Sequence, residues 1–118
     1  MTDQISLHGS VWFPPGVVLE VGDLDVEVRV KPHVTTVLIP SRKVLEDDWE
    51  ERQREFDRHL DEMIELLGRI RQVAPGGQVR LGIIMYSDTD SPGVAIGPHT
   101  IALLHEHSAV LTLDAYGR

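Results

Sequence analysis

The chain has 118 residues, with 19 acidic and 11 basic side chains, a net charge of −8 at neutral pH and a pI near 5.1. That length fits one domain, 1–118, able to bury about two thirds of its unfolded surface. The acidity argues against nucleic acid and anionic membranes as partners, and the absence of cysteine excludes disulfides and thiolate zinc sites.

Apolar stretches such as Gly82–Tyr86 are too short to span a bilayer. The opening Met-Thr-Asp-Gln lacks a basic region followed by an apolar one, so a cytoplasmic location is expected.

In chain order, Gln4–Trp12 alternates, with Ile5, Leu7, Gly9 and Val11 to one side and Ser6, His8 and Ser10 to the other. That pattern predicts a half-buried strand. Pro14-Pro15-Gly16 ends it, and Val17–Val21 reads as a second strand before the turn signal Gly22-Asp23. Asp25–Lys31 predicts a third strand, with Val26, Val28 and Val30 inward. Pro32-His33 breaks it, and Val34–Ile39 resumes as a fourth, rich in β-branched residues. The short connections favour antiparallel pairing.

A long helix follows, from about Asp48 to Val73. Asp47 and Asp48 are N-cap candidates, each with Glu three residues on. Phe56, Leu60, Met63, Ile64, Leu67 and Ile70 form one apolar stripe, interrupted earlier by Arg52 and Gln53. Ten acids fall between Glu46 and Glu65 against Arg52, Arg54 and Arg58, a local charge of −7. Nearly all of the net charge therefore sits on one element. Pro75-Gly76-Gly77 stops the helix. Gln78–Ser87 predicts a central strand, Asp88–Pro98 a loop, Pro98–His107 a short helix burying Ile101, Leu103 and Leu104, and Ala109–Tyr116 a final strand. The expected fold is an α+β two-layer sandwich. Its sheet has five to six mostly antiparallel strands, with one long acidic helix and one short helix on one face.

Motifs for catalysis are absent. No serine has a Gly-x-Ser-x-Gly context, no glycine-rich phosphate loop occurs, and no His-Glu-x-x-His spacing is present. Asp88-Thr-Asp90-Ser91 opens like a calcium loop, but Pro92 takes position five and His99 stands where a bidentate Glu belongs. His105 and His107 would chelate on a strand but point apart on a helix. No metal and no cofactor are expected.

The segments Ile101-Ala102-Leu103-Leu104 and Ala109–Tyr116, with Ile5-Ser6-Leu7-His8-Gly9 at the start, resemble the closing and opening elements of a bacterial domain-of-unknown-function family, number 4279. The resemblance implies a small cytosolic bacterial domain with no active site to transfer, and toxin-immunity roles in its gene neighbourhoods.

The leading expectation is a non-enzymatic protein-binding module. Its sharpest form is an immunity-type protein whose acidic helix covers a basic partner such as a toxin, using Trp49, Glu50, Glu51, Glu55, Asp57, Asp61 and Glu62. One alternative is a structural homo-oligomer, such as a homodimer, paired through exposed strand edges or the helix stripe. The other is a small-molecule or metal site using His99, His105 and His107 with Asp88 and Asp90.

Overall fold

Strand-forming alternation at the N-terminus organises the whole molecule. In the computed structural model, which describes residues 4–17, 19–87 and 93–117, strand β1 spans Gln4–Phe13 and lies at the sheet centre. The other elements are β2 (Glu27–Val30), β3 (Thr35–Leu38), β4 (Arg42–Val44), α1 (Trp49–Val73), β5 (Gln78–Ser87), α2 (Pro98–Glu106) and β6 (Val110–Gly117). The sheet runs β2-β3-β1-β5-β6, with β4 also on β1. All pairs are antiparallel except β5 with β6. The expected α+β sandwich, with one long and one short helix, is what forms.

β3 and β4 are two halves of one strand. Leu38 opposes Ser10 and Arg42 opposes Leu7. Three residues (39–41) therefore face two (8–9), which is a bulge. Pro40 has no N–H to leave unpaired there. The extra residue switches the inward parity from Val37 and Ile39 to Val44, all buried.

One sheet face and the helices share the core. Ile5, Leu7, Val11 and Phe13 of β1 and Val79, Leu81 and Ile83 of β5 are buried. They meet Phe56, Leu60, Met63, Ile64, Leu67 and Ile70 of α1, so the predicted stripe is the buried face. α2 packs beside α1 and adds Leu104 to the same core. Gly9 also faces inward: a Cβ there would come 2.8 Å from Ile39 Cδ1 and 3.1 Å from Leu67 Cδ1. Its bare backbone lets helix and bulge close over β1.

Three sequence expectations are corrected. The segment Val17–Val21 does not form a strand: its described residues are irregular, although Val17, Leu19 and Val21 pack against the core. The sheet gains Arg42–Val44 instead. Val28 and Val30 do point to the helix side by register, opposite Val37 and Thr35, yet Val30 is 77% exposed. β2 is an edge strand, and the helix layer, which packs on β1, β4 and β5, does not reach it. Ile101, expected to be buried, is 55% exposed, because α2 is held by Thr100 and Leu104 on its other side.

Candidate functional site

The start of α1 is fixed by its own sequence. Asp48 is the N-cap, its carboxylate accepting the Glu51 N–H at 3.0 Å, and Glu50 and Glu51 sit in the positive first turn. At 25 residues the helix is about 38 Å long, in a molecule whose longest extent is 44 Å. Trp49 falls on the same side as the core stripe, beside Gly93, where a Cβ would come 3.2 Å from the indole Nε1, and it is 56% exposed.

Arg52 and Gln53, the residues that interrupt the apolar stripe, are structural clamps. Arg52 is buried, and its guanidinium donates to the carbonyls of Glu46 (3.0 Å), Asp47 (2.9 Å) and Gly93 (3.3 Å). Gln53 donates to the Ala95 carbonyl at 2.8 Å and accepts the Ala95 N–H at 2.7 Å. Together they tie segment 93–95, which leads into α2, to the first turns of α1. A charged residue tolerates this depth because carbonyl oxygens replace its water.

The seven predicted partner residues divide between the N-terminal end and two flanks of α1. Trp49 and Glu50 mark the end. Glu51, Glu55 and Glu62 belong to a ladder of arginine pairs. Arg54 binds Glu51 and lies 3.9 Å from Glu50, and Arg58 binds Glu55 (2.8 Å) and Glu62 (3.3 Å). Arg42 of β4 reaches Glu62 at 2.7 Å and the His59 ring at 3.1 Å. Asp57 and Asp61 lie on the flank toward segment 93–107. Asp57 accepts from Gln53 at 2.9 Å, while Asp61 accepts from the Thr100 hydroxyl at 3.3 Å and lies 3.6 Å from His99.

The ladder sets the protonation of its members. The hydrogen bond from Arg58 holds the Glu55 carboxyl below its ordinary value, and the bond from Arg42 does the same for Glu62. Burial, then the charges of Arg58 and Arg42, push the His59 imidazole below its ordinary value. Ten acids in segment 46–65 meet three arginines within it plus Arg42 and Arg69 beside it. A net of five negative charges remains on this surface.

The three histidines do not all meet. His99 and His107 line one groove between α1 and α2, of about 380 Å³, with Asp61, Glu65, Leu103 and Glu106. His105 is exposed in the last turn of α2 and does not line that groove. Asp88 and Asp90 lie outside the described residues. Among the described residues, no three His, Asp or Glu side chains are grouped to hold a metal ion.

The sheet face away from the helices carries groups that alternation alone does not single out. By register Trp12, Ser10 and His8 of β1 stand beside Gln78, Arg80 and Gly82 of β5. The Arg80 guanidinium lies 4.0 Å over the Trp12 ring, and the Tyr86 and Tyr116 rings stack at 5.4 Å. The signal in the sequence is the outward half of the β1 and β5 patterns, which by itself marks these residues only as solvent-facing.

No family model, no curated protein and no solved structure matches this chain. Among the described residues, no helix is long and apolar enough to cross a membrane.

Proposed function

We propose that this chain is a non-enzymatic protein-binding module that presents α1 to a basic protein surface. The observation that carries the reading is Trp49, more than half exposed in the first turn of α1, next to a surface of net charge −5. An exposed Trp ringed by acids is the composition of an anchor for a cationic partner, whose field steers encounter while the indole supplies contact area. The arginine ladder does not oppose this role. Exposed ion pairs contribute little individually, so a partner's lysines and arginines can displace Arg54 and Arg58 from their carboxylates at small cost. The sharpest form is an immunity-type protein covering a basic toxin, as the likeness to family 4279 implies.

The test places a photo-crosslinking side chain at position 49 and identifies the captured protein. The reading expects attachment within a basic surface of one protein, whose binding weakens when Glu51, Glu55 and Glu62 are changed to Gln. A partner that crosslinks equally from position 12, on the opposite face, would contradict it.

A second reading, a homo-oligomer paired through β6, has its own observation. β6 is an eight-residue edge strand, and its helix-side Leu113 is 57% exposed. A free edge with an apolar residue is a template for pairing. Sedimentation of the wild type and of Leu113→Lys distinguishes it: a dimer that the substitution dissolves supports this reading, and a monomer in both removes it.

A further inference from the structure

The open sheet face holds a cation that no described carboxylate neutralises. Arg80 is one of few basic groups there, in a chain of net charge −8. Among the described residues no carboxylate lies within ion-pair distance of it. Its polar partner is the neutral Gln78 side chain at 3.3 Å, and its buried Nε has no hydrogen-bond acceptor. Glu27, the acid in the same cross-sheet row, is separated from it by two strands and already pairs with Arg29 at 3.2 Å. A guanidinium stacked on an indole keeps its N–H edges in one plane, ready for a planar two-oxygen acceptor.

A depression of about 300 Å³ lies beside this stack, lined by His8, Ser10, Trp12, Arg80, Gly82 and Thr112. Gly82 keeps its floor open: a Cβ there would stand 3.3 Å from Thr112 Oγ1 and 3.8 Å from His8 Cβ. Ser10 accepts the Trp12 indole N–H at 2.9 Å, which leaves the serine proton free to donate outward. Thr112 gives its proton to the Leu81 carbonyl at 3.4 Å. The site thus offers one fixed cation, one hydroxyl donor, an imidazole and an indole wall, with no acid among its lining residues; Asp114 stands on the same face of β6, two residues beyond Thr112.

We infer that this depression binds a small monoanionic carboxylate carried on a flat apolar or aromatic body. The guanidinium and the Ser10 hydroxyl take the two carboxylate oxygens, and the ring lies along Trp12 above Gly82. A single cation matches one negative charge. A dianionic phosphate would leave a charge uncompensated in an already acidic protein, and a volume near the lower end for ligand pockets suits a body of one or two rings. The site is on the sheet face opposite α1, and its occupancy does not depend on the protein-binding role of that helix.

Benzoate is the probe, titrated into the full chain and followed by amide NMR shifts. The expected result is saturable shifts at residues 8, 10, 80, 82 and 112, with α1 amides unmoved. Benzyl alcohol, which lacks the charge, and phenyl phosphate should each bind at least about tenfold more weakly. Arg80→Gln should remove the shifts, and Arg80→Lys, which keeps the charge but loses the planar fork, should weaken binding by about tenfold. If Arg80→Gln does not fold, Arg80→Lys and the three probes on the wild type decide. No saturable shift with benzoate, equal shifts with benzyl alcohol, tighter binding of phenyl phosphate, or unchanged affinity in Arg80→Lys would each overturn the assignment.

Discussion

At the scale of single residues, the structure separates side chains that hold α1 in place from those free to meet a partner. Leu67 is fully buried beneath β1, and Leu67→Ala should cost about 2–5 kcal/mol in chemical denaturation. Arg52 looks in the sequence like one more surface charge, yet it is bound by three carbonyls. Arg52→Met should therefore cost about 1.5–3 kcal/mol. It should also speed hydrogen exchange at the Ala95 amide, since that N–H is held by the neighbouring Gln53. An unchanged exchange rate would show that Arg52 does not fix segment 93–95. His59 gives a pH signature. Its folded value lies below the ordinary 6.5, so the unfolded chain takes up its proton first. The stability it contributes is complete above about pH 6.5 and is lost as pH falls through the folded value. Thermal melts between about pH 7 and pH 5 should show this loss, and His59→Gln should flatten it. Glu55 and Glu62 are also held below their ordinary value of 4.5, so their contribution is lost only at lower pH.

At the scale of elements, periodicity was readable wherever one face of an element meets the core along its whole length. β1 was legible from alternation, α1 from its stripe, β5 from its apolar composition and Asp48 from its capping spacing, because the core imposes the pattern that the sequence displays. β4 was not legible. Three residues after Pro40 and Ser41 carry no period, and only the bulge opposite 8–9 makes Arg42–Val44 a continuation of β3. Val30 and Ile101 failed for a different reason. Their local patterns are correct for a strand and a helix, but exposure depends on how far the neighbouring layer extends, which is a property of the assembled fold. The candidate site was half legible. The concentration of acids on α1 is plain in the sequence, and so is Trp49 among them. Their division into an arginine ladder toward β4 and an aspartate flank toward α2 is not, because Arg42 and Thr100 arrive from other elements. That division changes the choice of variants. Lysine at Glu51, Glu55 or Glu62 would stand beside Arg54, Arg58 or Arg42 and add repulsion of a few tenths of a kcal/mol per pair. Glutamine removes the charge without it, and Glu51→Gln with Glu55→Gln should leave the melting temperature within a few degrees of wild type.

At the scale of the whole molecule, the negative charge is divided unevenly between the two layers. The helical layer carries most of the negative charge, while the open sheet face holds Arg80 stacked on Trp12 and the paired rings of Tyr86 and Tyr116. Tyr116 stacks on Tyr86 of β5, and Tyr116→Phe, which keeps the ring, should keep the fold. A surface of net charge −5 acts beyond contact distance, and its field is screened over about 8–10 Å at physiological salt. Association with a cationic partner should be fast at low salt and slow as ionic strength rises, with the effect concentrated in the on-rate. The most direct measurement is the association rate of the protein captured at position 49, followed against salt concentration for the wild type and for the Glu51, Glu55, Glu62→Gln variant. The account predicts that the wild-type rate falls steeply with salt and that the variant is slower and less salt-dependent, with its fold unchanged. Equal rates and equal salt dependence in the two proteins would contradict it.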